Sequence, residues 1–309
     1  SSAASDVYKR QVHSLFNIGA VLLLYPFGNQ LVKLAQITIP EHADEKEQKP
    51  DEFAILDERF LEKPAFAMEL CKNATIKMAE EAKDALELSL ENLHIYDGKR
   101  VEKIIALEQS VDRYEDALGT YLVKLNNCDL SQSDSRTLSI LLHCIGNFER
   151  ISDHAVNITD SLTEMNQKDL HFSKKALEEM EVFSKALKDI VEATCTAFVE
   201  ADLEKARRIE PFEQVIDGLS IELKQRHVHR LRKGKCTIEL GLILEDIITN
   251  YERISDHCSN IAVCMIRVNE DGFDTHEYLD VVKEEKAPWF EEEFYALSRK
   301  YALPEKKRK

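Results

Sequence analysis

One twelve-residue segment occurs twice in this chain, and that duplication constrains the fold more than any other feature. Residues 147–158 read NFERISDHAVNI and residues 250–261 read NYERISDHCSNI, with nine of the twelve positions identical. Two such copies about a hundred residues apart mark a duplicated structural unit. Each copy keeps the same polar set: Glu149, Asp153 and Asn157 in the first, Glu252, Asp256 and Asn260 in the second. Residues four apart lie on one face of a helix, so each copy lays two carboxylates and an amide along one stripe. Apolar residues at three- and four-residue steps predict the helix independently. They are Phe148, Ile151, Ala155, Ile158 and Leu162 in the first copy, and Tyr251, Ile254, Cys258, Ile261 and Met265 in the second. The acidic stripe borders this buried seam.

The duplication extends upstream, where LEQSVD (107–112) matches FEQVID (212–217). Each repeat therefore holds a second Glu-x-x-x-Asp pair, Glu108 with Asp112 and Glu213 with Asp217. The two pairs are 41 residues apart in repeat one (108 to 149) and 39 in repeat two (213 to 252). That spacing suits two antiparallel helices with the pairs facing each other. Ser131, Ser133 and Asp134 mark the turn in repeat one and Gly234 marks it in repeat two. A further helix precedes each pair, at roughly 65–96 and 173–200. The expected fold is all-α: tandem three-helix bundles, each with two inward carboxylate pairs, following one apolar helix.

That apolar helix is read from residues 12–39, the one markedly apolar region. Its uninterrupted part, Ile18 to Phe27, is shorter than the roughly twenty residues a bilayer needs. A buried or interfacial helix is the alternative to a span. Residues 41–52, EHADEKEQKPDE, hold six acids and read as a solvated linker. Residues 1–10, SSAASDVYKR, fit neither unit and read as a non-native leader. Only nine Gly and seven Pro, with 32% charged residues, suit long helices. A net charge of −16 argues against nucleic acid as a partner, since phosphate backbones call for a basic surface. Seven scattered cysteines read as free thiols in a reducing compartment.

Carboxylates facing one another across a helix pair repel in a dry interior, and cations are their natural compensation. Oxygen-rich sites suit hard or borderline metals. The competing reading has Arg150 and Arg253 neutralise the stripe by salt bridges. Each sits about a hundred degrees round the helix from its Glu neighbour, so partners on another helix are expected for them. His154 and His257 likewise point off the stripe, and are expected to hydrogen bond a neighbouring helix in preference to ligating metal. Asn157 and Asn260 continue the stripe as residues that orient a carboxylate. The basic run Arg226, His227, His229, Arg230, Arg232, Lys233 and Lys235 reads as a solvated helix end. A carboxylate-bridged metalloenzyme is the alternative function, but neither repeat has the Glu-x-x-His offset of such centres. A phosphate loop and a nucleophile elbow are also absent, so the chain is read as not an enzyme.

ERISDHAVNI and ERISDHCSNI, each preceded by a Glu-x-x-x-Asp pair one helix earlier, resemble the PhoU family of phosphate-regulatory proteins. The resemblance implies a metal-binding motif on two helices of each three-helix bundle. It assigns Glu108, Asp112, Glu149, Asp153, Glu213, Asp217, Glu252 and Asp256 as ligands of divalent or ferric ions (Fe, Zn, Mn or Mg). LDERFLEKPAFAMEL (56–70) and DTHEYLDVVK (274–283) resemble more narrowly the cytoplasmic PhoU-like region of bacterial sodium/phosphate cotransporters. HSLFN followed by LLLYPF is similar to the last transmembrane segment of those transporters. The organisation implied is a leader (1–10), a last span of a truncated membrane module (11–40), an acidic linker (41–52), repeat one (53–165), repeat two (166–275) and a helical tail (276–309). The implied partner is the chain's own upstream transport module at the bacterial inner membrane, with inorganic phosphate and sodium handled there and the PhoU-like part in the cytoplasm. Association into a homodimer is a further expectation.

Overall fold

The computed structural model of the chain describes residues 52–269 and 288–304. The chain divides into two compact units, 1–52 and 53–309, and the description below concerns the second. The expected span at 11–40, the leader and the run KKRK (306–309) lie outside the described residues. No described helix is long and apolar enough to cross a membrane.

The described residues are helical throughout, without a strand. Two short 3₁₀ turns, Glu52–Ile55 and Glu58–Glu62, lead into α1 (Pro64–Asn92), α2 (Gly98–Leu125) and α3 (Gln132–Gln167). Repeat two holds α4 (Lys174–Glu200), a short α5 (Leu203–Arg207), α6 (Ile209–Arg232) and α7 (Ile238–Asn269), and α8 (Pro288–Lys300) follows. The starts are set by local chemistry. Asp97, Ser131, Ser173 and Asp202 each accept a backbone N–H of the first turn, satisfying donors that the helix cannot. Pro64 opens α1, where its missing N–H costs nothing. Gly234 turns the chain between α6 and α7 at φ +62°, in the left-handed region that favours glycine.

In repeat one α1 packs on both α2 and α3, and in repeat two α4 packs on α6 and α7. Ala67, Cys71, Ala74, Ala82 and Ala85 of α1 are all buried, small side chains that let neighbouring helices approach closely. The repeats join through α3 on α7, the most extensive helix contact, and through α1 on α4. Phe148 of α3 meets Phe198 of α4 edge-on at 5.2 Å, an apolar rivet across that joint.

Segments flanking the core are docked on it. Phe212 of α6 stacks on Tyr301 at 5.2 Å, and the Tyr301 hydroxyl lies 2.5 Å from Asp189 of α4. Arg226 donates to the Pro304 carbonyl at 2.8 Å. At the same position of repeat one, Tyr121 donates to the Asp57 carbonyl at 3.0 Å. The expectation of a solvated basic helix end at the close of α6 is corrected in part: His229, Arg232, Lys233 and Lys235 are exposed, but the residues a turn earlier are not. Arg226 and His227 are buried, and Glu179, fully buried on α4, accepts from Arg226 at 3.0 Å and Arg230 at 2.5 Å. A neighbouring helix supplied the counter-charge, which the local sequence could not reveal.

Candidate metal centre

The four acidic pairs fall where helical spacing puts them, on the facing sides of α2 and α3 and of α6 and α7. They do not point into a dry interior. Glu108, Glu149 and Asp153 are half-buried, Asp112 is exposed, and in repeat two only Glu213 is buried, at 7% exposure. The core positions of both hairpins are filled by the apolar seam. The acids take the next stripe round, at the solvent edge between the paired helices.

In repeat two the acids close on a shared point. Carboxylate oxygens of Glu213, Asp217 and Asp256 all lie within 4.8 Å of one another, the group of three candidate ligands that the described residues bring together. This donor set fits a hard or borderline cation, which takes carboxylate oxygens from more than one element. The fourth predicted residue, Glu252, is turned aside. Ser220 donates to it at 2.9 Å and Lys224 at 3.1 Å. Burial acts to raise the Glu252 carboxyl, but the Ser220 and Lys224 hydrogen bonds outweigh it and hold it below its ordinary value.

Repeat one differs at those two positions. Glu115 stands where repeat two has Ser220, and Gly119 stands where it has Lys224. Glu115 is a fifth carboxylate that the motif spacing missed, although it lies one turn beyond Asp112 on the same face. Burial, then Asp116 and Asp112, push its carboxyl up. Burial, then Asp153 and Asp112, push Glu108 up as well. Glu149 is raised to about 7 by burial and then by Asp153, against the pull of Arg150. These are acids crowded by like charge, the state that a bound cation relieves.

The arginines are nearer than expected. Arg150 reaches back to its own helix, 3.3 Å from Glu149 and 3.2 Å from Asp153. Arg253 lies 3.3 Å from Asp256. The long side chain curls along the helix surface and overcomes the unfavourable angle of its Cβ. Each arginine is more than half exposed, so these pairs are screened and leave the acids' charge largely in place.

The histidines leave the acids altogether. His154 Nδ1 meets Asn250 Oδ1 at 2.8 Å, and His257 Nδ1 meets Asn147 Oδ1 at 3.0 Å. Each Asn is oriented by its own amide, donating to the His143 and Asp246 carbonyls. The two imidazoles stack at 5.5 Å on the α3–α7 joint. Each histidine thus bonds the other repeat, as the sequence leads one to expect. Burial, then His154, hold His257 down at about 4, so it is neutral. Asn157 and Asn260 are exposed, one turn past Asp153 and Asp256.

The duplicated hairpins with carboxylates on facing helices have a match among known families. The PhoU domain matches residues 75–162 and 181–265, one copy per repeat and more than half the chain. The chain belongs to the PhoU domain family. It is 27% identical over 214 residues to the phosphate-specific transport system accessory protein PhoU homolog 1 of Thermotoga maritima, covering 68% of this chain and 90% of that one. The fold is shared with the phosphate transport system regulatory protein PhoU of Streptococcus pneumoniae, with a TM-score of 0.62 at 16% identity, over 69% of this chain and 99% of that one. PhoU from Pseudomonas aeruginosa superposes at 0.56, with 18% identity and the same coverage. The helix α8 lies outside the residues that the PhoU domain matches.

Proposed function

We propose that the chain is a regulatory module of phosphate transport whose grooves hold divalent or ferric ions. The observation that carries the reading is the convergence of Glu213, Asp217 and Asp256 within 4.8 Å in a PhoU domain. Glu108, Asp112, Glu149 and Asp153, with Glu115, would hold a cation in repeat one, and Glu252 would join repeat two once Lys224 moves off. Asn157 and Asn260 would orient outer ligands. The ion, whether Fe, Zn, Mn or Mg, would supply positive charge on a surface otherwise too acidic for phosphate. Phosphate or an acidic partner would then meet the module through that charge.

The partner we propose is a membrane phosphate transporter. The names of the relatives support an accessory role in phosphate transport. The narrower reading, with residues 11–40 as the last span of a sodium-dependent transporter in the inner membrane, is supported by the resemblance of residues 12–27, 56–70 and 274–283. A metalloenzyme finds less support, because neither repeat sets a histidine three residues after a Glu of its acidic pairs, the offset such centres use.

Phosphate uptake tests the proposal in cells carrying the whole protein or its Asp217→Asn, Asp256→Asn variant. The variant should uncouple uptake rate from phosphate supply. Uptake curves that superimpose would count against a regulatory role for the groove.

A further inference from the structure

The tip of the α6–α7 hairpin has a surface that the fold does not require. Ile238 is 77% exposed, Ile221 and Leu242 59% each and Val228 44%. Helical spacing places Ile221 and Val228 seven residues apart on α6, and Ile238 and Leu242 four apart on α7. On each helix these residues stand beside the stripe that carries the acids, so all four share the outer face of the hairpin. Arg232, Lys233 and Lys235 are exposed around the turn between them. Glu239, the acid nearest the turn, is held by Lys168 at 2.7 Å. A chain of net charge −16 therefore gathers three cations and the bare side chains of Val228, Ile238 and Leu242 at one end of one hairpin, with Ile221 farther down α6 and the exposed Glu245 and Asp246 one turn beyond Leu242.

Repeat one serves as an internal control. It builds the same hairpin with Asp116, Ser135 and Ser139 in place of Ile221, Ile238 and Leu242, and keeps an exposed aliphatic residue only at Val123, where repeat two has Val228. Its interhelical turn, residues 126–131, reads NNCDLS and holds no cation, against KGKCT at 233–237, while Lys124 stands in the last turn of α2 as Arg232 does in that of α6. Folding the hairpin calls for none of Ile221, Ile238 and Leu242 and for no cation between the helices, so the presence of these residues, Lys233 and Lys235 in repeat two needs another explanation.

We infer that the α6–α7 tip is a docking surface for an anionic lipid bilayer. Aliphatic side chains standing out from a convex tip and flanked by Lys and Arg suit a planar interface, where the apolar groups enter the headgroup boundary and the cations meet lipid phosphates. A helical partner would instead ask for a groove to lie in. Docking by the tip would bring the acids of repeat two close to the membrane. The inference is independent of whether the groove binds metal.

The test mixes the full chain with vesicles of phosphatidylcholine, with and without phosphatidylserine, and measures co-flotation. Comparing the two lipid mixtures removes any charge-independent binding by residues 12–39. The first variant carries Arg232→Asn, Lys233→Gln and Lys235→Gln, and the second carries Ile238→Ser and Leu242→Ser, mostly residues that repeat one already uses. Each surface cation contributes roughly fivefold, so the triple change should weaken the phosphatidylserine-dependent binding about a hundredfold, with unchanged helical circular dichroism. The serine variant should weaken binding to both vesicle types. Phosphatidylserine-dependent binding that survives both variants, or is lost only on neutralising residues 306–309, would overturn the assignment. So would variants that lose binding to an acidic peptide yet float with vesicles like the wild type.

Discussion

Replacing Glu179 by Ala should cost the fold about 3–5 kcal/mol, the usual penalty for removing one partner of a buried ion pair. The carboxylate is fully buried and accepts from two guanidiniums, Arg226 at 3.0 Å and Arg230 at 2.5 Å. Arg226 keeps Glu222 at 2.6 Å and the Pro304 carbonyl at 2.8 Å, so it cannot leave for solvent without releasing the C-terminal segment. Repeat one supplies the compensating change, for Ala74 and Tyr121 occupy the positions of Glu179 and Arg226. The double variant Glu179→Ala, Arg226→Tyr removes two of the three charges and leaves Arg230, 12% exposed, without Glu179, so it should recover about 1 kcal/mol or more of the single variant's loss, since a pair replaced by packed neutral groups is often close to neutral. Urea unfolding followed by circular dichroism gives the two free energies. Trp289, the only tryptophan, lies on α8, so its fluorescence reports separately whether the C-terminal helix lifts. A loss under about 1 kcal/mol for the single variant, or a double variant worse than the single, would show that the network is not holding α8 to α6 as described.

Three further outcomes follow from the same contacts. Lys224→Gly, the residue of repeat one, should free Glu252 and raise divalent-ion affinity in repeat two about tenfold by titration calorimetry; an unchanged affinity would mean that Glu252 takes no part. Gly241→Ala should destabilise by about 1–3 kcal/mol in the same urea assay, because the new Cβ would stand 2.6 Å from His227 Nε2 with no room to spare. His257 is held at about 4 in the folded state against an ordinary 6.5, so the folded protein binds fewer protons between those values. The sign follows directly: its stability contribution is complete above pH 6.5 and is lost as pH falls toward 4. After discounting for partial exposure the loss should be about 1–2 kcal/mol, and a His257→Gln variant should show a correspondingly flatter acid limb.

The duplicated motif was enough to read the architecture. Helices expected near 65–96 and 173–200 form at 64–92 and 174–200, and the turn residues Ser131 and Gly234 stand where the chain reverses. Periodicity names the face of a helix but not its depth. The sequence sets the acids beside the apolar seam and predicts them facing inward, whereas the seam fills the core and most of the acids keep contact with solvent. Partners drawn from another helix were the least legible. Nothing near residue 226 in the sequence points to Glu179, and nothing near residue 252 distinguishes a metal ligand from a carboxylate held by Lys224. Glu115 was within reach, because comparing the two repeats at the position of Ser220 exposes it. The histidines were placed correctly for a related reason: a ring pointing off the acidic stripe had to find its partner on another helix, and the duplication supplies matching asparagines.

Metal content is the most direct test of the central claim. The full chain and its Glu213→Gln, Asp217→Asn variant should be purified without chelator and analysed by elemental mass spectrometry beside protein concentration. The account predicts a stoichiometric divalent or ferric ion in the wild type that falls by about one per chain in the variant, in which two of the three converging carboxylates lose their charge. Wild-type protein that carries no metal, and keeps its helical signal after dialysis against chelator, would contradict it and leave the grooves as salt-bridged surface on a PhoU fold.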